Sequence, residues 1–225
     1  MNNKSASALV VFSGGQDSTT CLAWAIKKFD KVYAITFDYG QRHKTELLSA
    51  KKIAKITNTP IIVQKLSLLK DLTKNALTDK NIKIENKGSL PSTFVPGRNA
   101  IFLTTAAIYA NQLGIKDIVT GVCQTDYSGY PDCRDKFIKS LQKTLNLSMD
   151  ENFKIHTPLM WLTKGQTVEL MAKLKQLPLL AHSHTCYEGH RPACGQCPSC
   201  LLRLKGFKDT NKKDPLKYKS ISKQQ

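Results

Sequence analysis

Short β-branched apolar runs alternate along the chain with longer stretches whose apolar residues recur every three to four positions. Residues 8–12 (ALVVF), 31–37 (KVYAITF), 60–66 (PIIVQKL), 116–122 (KDIVTGV) and 153–158 (FKIHTP) predict strands from their length, flanks and branching. Between and after them, residues 19–29, 45–57, 99–113, 132–147 and 163–177 carry the spacing of amphipathic helices. Five such alternations imply an α/β fold, doubly wound, with a mostly parallel five-stranded sheet covered by helices on both faces and right-handed crossovers.

Two stretches break the rhythm. Leu68 to Pro96 is polar and punctuated by Gly88, Pro91 and Pro96, and it reads either as a long loop over the active-site edge or as a plain surface insertion. After Pro178 the periodicity stops. A Cys/His-rich segment follows, then a lysine-rich tail with few apolar residues that is expected to fray. The resulting division is an α/β domain over 1–178, a Cys/His-rich segment over 179–205 packed on it, and a basic tail over 206–225.

Composition narrows the setting. With 225 residues, 41% of them hydrophobic, the chain can bury one sizeable core, and two full domains are not expected. The 34 Lys and Arg against 17 Asp and Glu give +17, which suits an anionic partner. Only five of those cations are arginine, however, and scattered lysines more simply provide a solvated surface. The first apolar run is about five residues long and no stretch nears the roughly 20 needed to span a bilayer, so neither a signal peptide nor a membrane span is expected. The expected location is the cytoplasm, where the seven cysteines would be reduced and free to bind metal.

The first strand runs straight into Ser13-Gly14-Gly15-Gln16-Asp17-Ser18 and then into the first helix. A glycine-rich turn there directs backbone amides and a helix N-terminus at the carboxyl edge of the sheet, which makes an anion site. Gly14 and Gly15 would allow close approach of a phosphate, and the Ser13 and Ser18 hydroxyls can donate to its oxygens. Asp17 is repelled by polyphosphate unless a divalent cation lies between them, so it either holds Mg²⁺ or orients the loop. The alternative for a lone SGG is a capped tight turn. Neither GxxxxGK[ST] nor GxGxxG occurs, which removes the usual P-loop and dinucleotide-binding readings.

A second cluster lies near the C-terminus. Cys194, Cys197 and Cys200 stand at CxxCxxC spacing with Cys186 eight residues upstream, so four thiolates can close one tetrahedral, structural Zn²⁺ site. An iron–sulfur cluster, or replacement of one cysteine by His182, His184 or His190, are the alternatives. Cys21, Cys123 and Cys133 read as core thiols.

The string SGGQDSTT after a first strand resembles the pyrophosphatase loop of the N-type ATP pyrophosphatases. That resemblance implies an adenine nucleotide alpha hydrolase-like fold with ATP over Phe12, Ser13, Gly14, Gly15, Gln16, Asp17, Ser18, Thr19, Thr20, Cys21 and Leu22. FDYGQRHKTEL (37–47), FVPGRNAIFL (94–103), GYPDCRDKFI (129–138), TPLMWLTKGQTV (157–168) and CGQCPSC together resemble the 7-cyano-7-deazaguanine synthases of the queuosine pathway, from about Leu9 to Arg203. The likeness implies adenylation of 7-carboxy-7-deazaguanine, displacement of AMP by ammonia, and a second activation that dehydrates the amide to the nitrile. It also implies ATP with Mg²⁺ as substrate, one structural Zn²⁺ and a homodimer, with no membrane partner. On that basis Ser13, Asp17, Ser18, Arg98 and Lys164 become catalytic candidates, with Arg98 and Lys164 as phosphate or carboxylate ligands. Asp132 would read the guanine-like edge and Arg134 hold the carboxylate; a helix-terminal charge and a surface pair are the alternatives. Asp38, Gln41 and His43 follow the second strand, where adenine or ribose contacts are expected. A tRNA-modifying pyrophosphatase of thiolating or lysidine-forming type, and a non-enzymatic zinc module, are the competing readings.

Overall fold

The computed structural model describes residues 5–79, 81–84, 90–125 and 129–219. Five strands, β1 (Ser5–Val11), β2 (Phe29–Asp38), β3 (Ile61–Lys65), β4 (Asp117–Val119) and β5 (Lys154–His156), form one all-parallel sheet in the order β3-β2-β1-β4-β5. The helices are α1 (Gln16–Lys28), α2 (Thr45–Ile56), α3 (Leu68–Leu72), α4 (Arg98–Gln112), α5 (Asp135–Met149), α6 (Lys164–Lys173) and α7 (Pro198–Asp209).

Side chains alternate across β1, so the strand feeds two cores. Ala8, Val10 and Phe12 pack with Leu22 of α1, Ile53 of α2, Met171 of α6 and Phe207 of α7. Leu9 faces the opposite layer, with Leu103 and Ala107 of α4 and Leu145 of α5. A sheet buried on both faces explains why its strands read as continuous apolar runs. Because β1 sends its helix to one face while β4 is entered from α4 on the other, the carboxyl ends of β1 and β4 form a topological switch point, where such folds bind ligands. Gly121, just after β4, lets α1 approach closely there: a Cβ on it would lie 3.2 Å from the Ser18 amide nitrogen.

Of the stretch from Leu68 to Pro96, Leu77, Pro91 and Thr93 line a cleft, and α3 is a short helix the periodicity did not indicate. Its backbone is tied in by Ala76 N donating to Ser92 O at 2.8 Å and by Arg42 N donating to Leu77 O at 2.8 Å. Residues 85–89 lie outside the described residues.

The expectation of a frayed tail is corrected as far as residue 219. Helix α7 continues to Asp209, and Asp214 makes a two-pronged ion pair with Arg203, Nε to Oδ2 at 2.7 Å and Nη2 to Oδ1 at 2.8 Å. Arg203 is 1% exposed and its remaining donors reach Ser183 Oγ, Thr185 Oγ1 and the Leu180 carbonyl. Tyr218 donates its hydroxyl to Asp214 Oδ2 at 2.6 Å, and Ala193 pairs with the backbone at Lys217 and Lys219. The physical reason is one buried charge that needs its counter-ion, a long-range demand that a lysine-rich composition hides. Removing one member of a buried pair strands the other, so Asp214→Ala is expected to cost about 3–5 kcal/mol. Urea unfolding with an unchanged midpoint would contradict this. Among the described residues no helix is long and apolar enough to cross a membrane.

Candidate active site

A cleft of about 1010 Å³ opens at the switch point. One end is built by the turn after β1. Ser13 Oγ and Ser18 Oγ lie 3.1 Å apart, the Gly14 amide donates to Ser18 Oγ at 3.2 Å, and the Gly15 amide donates to Ser13 Oγ at 3.2 Å. The hydroxyls therefore knit the turn and remain at the cleft wall. Gly14 is glycine for a different reason from the expected one. Its φ is +83°, and a Cβ would lie 2.5 Å from Ala50 N and 2.6 Å from the Glu46 carbonyl oxygen, so it allows the turn to pack on α2 and does not itself line the cleft.

Helix α1 starts at Gln16, three residues before the periodicity suggested, and this sorts the residues of the string. Phe12, Ser13, Gly15, Gln16, Asp17 and Ser18 line the cleft. Thr19 and Thr20 return their hydroxyls to the Gly15 and Gln16 carbonyls, and Cys21 and Leu22 are buried in the core. Burial pushes the Cys21 thiol well up, in keeping with a core thiol. Cys123 and Cys133 reach the cleft wall, where Cys133 Sγ accepts from Asn99 Nδ2 at 3.4 Å.

Lys164 opens α6, and its Nζ lies 2.6 Å from Asp17 Oδ2, with the lysine side chain only 14% exposed. It is held, not solvated. Thr163 and Gln166 form a capping box that fixes this turn, and Gly206 of α7 brings α7 against it, since a Cβ there would be 2.8 Å from Lys164 Cβ. Four buried polar atoms in this region have no hydrogen-bond partner: both amide atoms of Gln16, Asp17 Oδ1, and Thr36 Oγ1 on β2. Buried polar groups without partners are costly, and all three side chains line the same cleft. The sequence reading missed Thr36, although a polar residue near the carboxyl end of an apolar strand was a usable signal.

The opposite end is aromatic and cationic. Arg98, at the first turn of α4, lies 6.0 Å from the Tyr130 ring centroid. Burial works against its charge, but its surroundings, in which Asp132 supplies the negative charge, more than offset this, so it stays a cation. Burial pushes Tyr39, Tyr130 and Tyr187 above the ordinary phenol value, leaving neutral donors around it. Phe102 stacks on Phe37 at 4.2 Å between centroids and also lines the cleft. Burial raises Glu46 to about 7.

The other predicted residues divide: Gln41 and His43 line the cleft, whereas Asp38, Asp132 and Arg134 do not. Asp132 is buried and accepts the Asn99 amide at 3.0 Å, the helix-terminal alternative, and it does not line the cleft. Arg134 is exposed beside a hollow of about 40 Å³ that adjoins the cleft and shares Cys123, Gly129 and Tyr130 with it. Gln41 spends its amide on the Tyr39 nitrogen and the Phe37 carbonyl, while Asp38 pairs with Lys44 at 3.7 Å outside the cleft. His43 Nε2 lies 2.9 Å from the Tyr187 carbonyl and links the β2 loop to the cysteine segment.

The sulfurs of Cys186, Cys194, Cys197 and Cys200 all lie within 4.8 Å of one another. Zinc–sulfur bonds of about 2.3 Å put tetrahedral sulfurs about 3.8 Å apart, so the four surround a space suited to one ion. Amides of Gln196 and Cys197 donate to Cys194 Sγ at 3.4 and 3.3 Å, as thiolates require. The Cys200 thiol hydrogen bond holds Cys197 down to about 5. No histidine joins the set among the described residues. Buried His184 lines the cleft, its Nε2 3.0 Å from the Cys186 carbonyl, and burial lowers it to about 4, so it is neutral. Its amide donates to the Gly14 carbonyl at 2.8 Å, joining the metal loop to the β1 turn.

Fold and site together define a doubly wound α/β protein with a glycine-rich turn at its switch point and, beside it, four cysteines that could hold one metal ion. The sequence profile of the family described as "Queuosine biosynthesis protein QueC" matches residues 7–211, and the chain belongs to that family. A protein of Shouchella clausii (strain KSM-K16) named 7-cyano-7-deazaguanine synthase is 57% identical over 204 residues, covering 89% of this chain and 92% of its own. Its namesake from Bacillus subtilis (strain 168) is 53% identical over 209 residues, covering 92% and 95%. Among solved structures, the U34-tRNA thiolase NcsA from Methanococcus maripaludis with its [4Fe-4S] cluster matches with TM-score 0.52 at 16% identity, over 93% of this chain and 67% of that one. That likeness concerns the fold alone.

Proposed function

We propose that the cleft activates 7-carboxy-7-deazaguanine with ATP and converts it, with ammonia, to 7-cyano-7-deazaguanine. The observation that carries this reading is the set of unpartnered polar atoms of Gln16, Asp17 and Thr36 around the β1 turn, facing the Arg98 end of one cleft. Family membership and the relatives' shared name support it.

A carboxylate oxygen is a poor leaving group, and bonding it to phosphorus makes it a good one. The polyphosphate lies on the Ser13–Ser18 turn, where amides, hydroxyls and the α1 N-terminus face its oxygens. Lys164, pre-set by Asp17, neutralises charge that builds as pyrophosphate departs. Asp17 Oδ1 is the available ligand for Mg²⁺, which when bound shields the phosphates from each other and from Asp17. Arg98 holds the substrate carboxylate beside the α-phosphate, and Tyr130, Tyr39 and Phe102 pack on the planar base. Ammonia then forms the amide and releases AMP; a second adenylation, on the amide oxygen, releases pyrophosphate and lets that oxygen leave with AMP as the nitrogen gives up its two protons, which forms the nitrile.

The metal in this reading is one structural Zn²⁺. Four sulfurs this close surround a single ion, whereas a cubane cluster spreads its thiolates over separate irons. Mass spectrometry of the product from 7-carboxy-7-deazaguanine, ATP and ammonium tests the function. A nitrile product supports it, and unchanged acid contradicts it.

A further inference from the structure

The chemistry just proposed leaves a proton unaccounted for. At neutral pH ammonia is present as ammonium, which has no free electron pair. In the step from acyl adenylate and ammonium to amide and AMP, a C–N bond forms and the C–O bond to phosphate breaks, its electron pair leaving on the phosphate. Two protons must leave nitrogen, the first of them before attack. None of Ser13, Asp17, Lys164 and Arg98 is suited to take it: Asp17 has one oxygen on Lys164 and the other assigned above to Mg²⁺, the Ser13 hydroxyl is not basic, and the cations repel ammonium.

Glu46 stands in the first turn of α2, and its side chain lines the cleft. Its own carbonyl oxygen abuts Gly14, which places it beside the phosphate turn. Arg98, Tyr39 and Tyr187 line the same cleft, and the Arg98 charge acts on the Glu46 carboxyl against the effect of burial. The other titratable groups around it, His43 before α2 and His184 from the metal loop, also line the cleft. Among the described residues Glu46 makes no side-chain hydrogen bond or ion pair. It is an acid facing the reacting end of a cleft with no structural duty of its own.

We propose that Glu46 binds ammonium and accepts its first proton, so that the freed electron pair on nitrogen can attack the activated carbonyl; the second proton passes to solvent. This rests on the function proposed above. Adenylation itself needs no base, because the substrate carboxylate is already ionised, and that separates the two claims. Burial keeps Glu46 titrating near neutrality, the range in which a general base works best.

The test compares wild type with Glu46→Gln in two assays. Exchange of labelled pyrophosphate into ATP, dependent on 7-carboxy-7-deazaguanine, is expected to stay within about twofold, while ammonium-dependent amide formation falls by about 10²-fold or more. Hydroxylamine, which is uncharged at neutral pH, is expected to restore acyl transfer in the variant as hydroxamate. Wild-type amide formation at fixed total ammonium is expected to level off above pH 7. The variant should keep climbing about tenfold per pH unit as free ammonia appears. Glu46→Asp, which keeps the acid, is expected to recover part of the rate. Loss of exchange in Glu46→Gln, or wild-type amide formation by it, would overturn the proposal. Absence of acid-dependent exchange in the wild type would overturn the function on which it rests, and the proposal with it.

Discussion

Removing the metal, by chelator or by Cys197→Ser, is expected to release one metal ion per chain, to melt the 184–219 region and to weaken ATP binding by at least about tenfold. Structural zinc supplies about 10–16 kcal/mol of apparent binding energy in small domains, and here it closes a loop that has little core of its own. The hydrophobic residues around the four cysteines are few: Ala193 is buried, with Tyr187, Leu216 and Tyr218 packed alongside. The effect on ATP follows from the backbone. His184 N donates to Gly14 O, so a melted metal loop leaves the phosphate turn without one wall. Elemental analysis together with hydrogen exchange checks this. A metal-free protein with full protection over 184–219 and unchanged ATP affinity would show that the centre is not structural.

Lys164→Met is expected to lower kcat/KM by about 10²–10³-fold with little loss of stability, because methionine keeps the aliphatic stem packed on Gly206. The charge is what matters. Without it Asp17, already carrying one unpartnered oxygen, would face the polyphosphate uncompensated. If steady-state kinetics gave a variant with wild-type kcat/KM, the lysine would serve only to hold α6 against α1.

The architecture could be read from the chain because both faces of the sheet are buried: apolar runs such as 8–12 have few other uses, and the five observed strands overlap the five expected. The start of α1 at Gln16 was less legible, since polar side chains that turn toward a ligand break the helical period where the helix begins. Local strings identified the β1 turn and the four cysteines, whose members are close in sequence. Residues that gain their role from distant partners were not readable. Glu46 stands out only because its carbonyl abuts Gly14 and it shares a cleft with Arg98, and Arg203 needs Asp214, a neighbour fixed by the fold of the tail. The lysine-rich composition of residues 205–225 masked Asp214 and Tyr218, two side chains that pin the segment as far as residue 219. Asp132 shows the reverse case. A carboxylate inside a family-like string was expected to meet substrate, and in the fold it accepts the Asn99 amide in the first turn of α4.

The central claim is that ATP occupies the turn between β1 and α1 with Lys164 beside its phosphates. Calorimetric titration of ATP and Mg²⁺ into the protein tests it most directly, with Lys164→Met as the comparison. One site per chain, weakened severalfold or more in the variant, is the predicted result. No heat of binding, or equal affinity in both proteins, would contradict it.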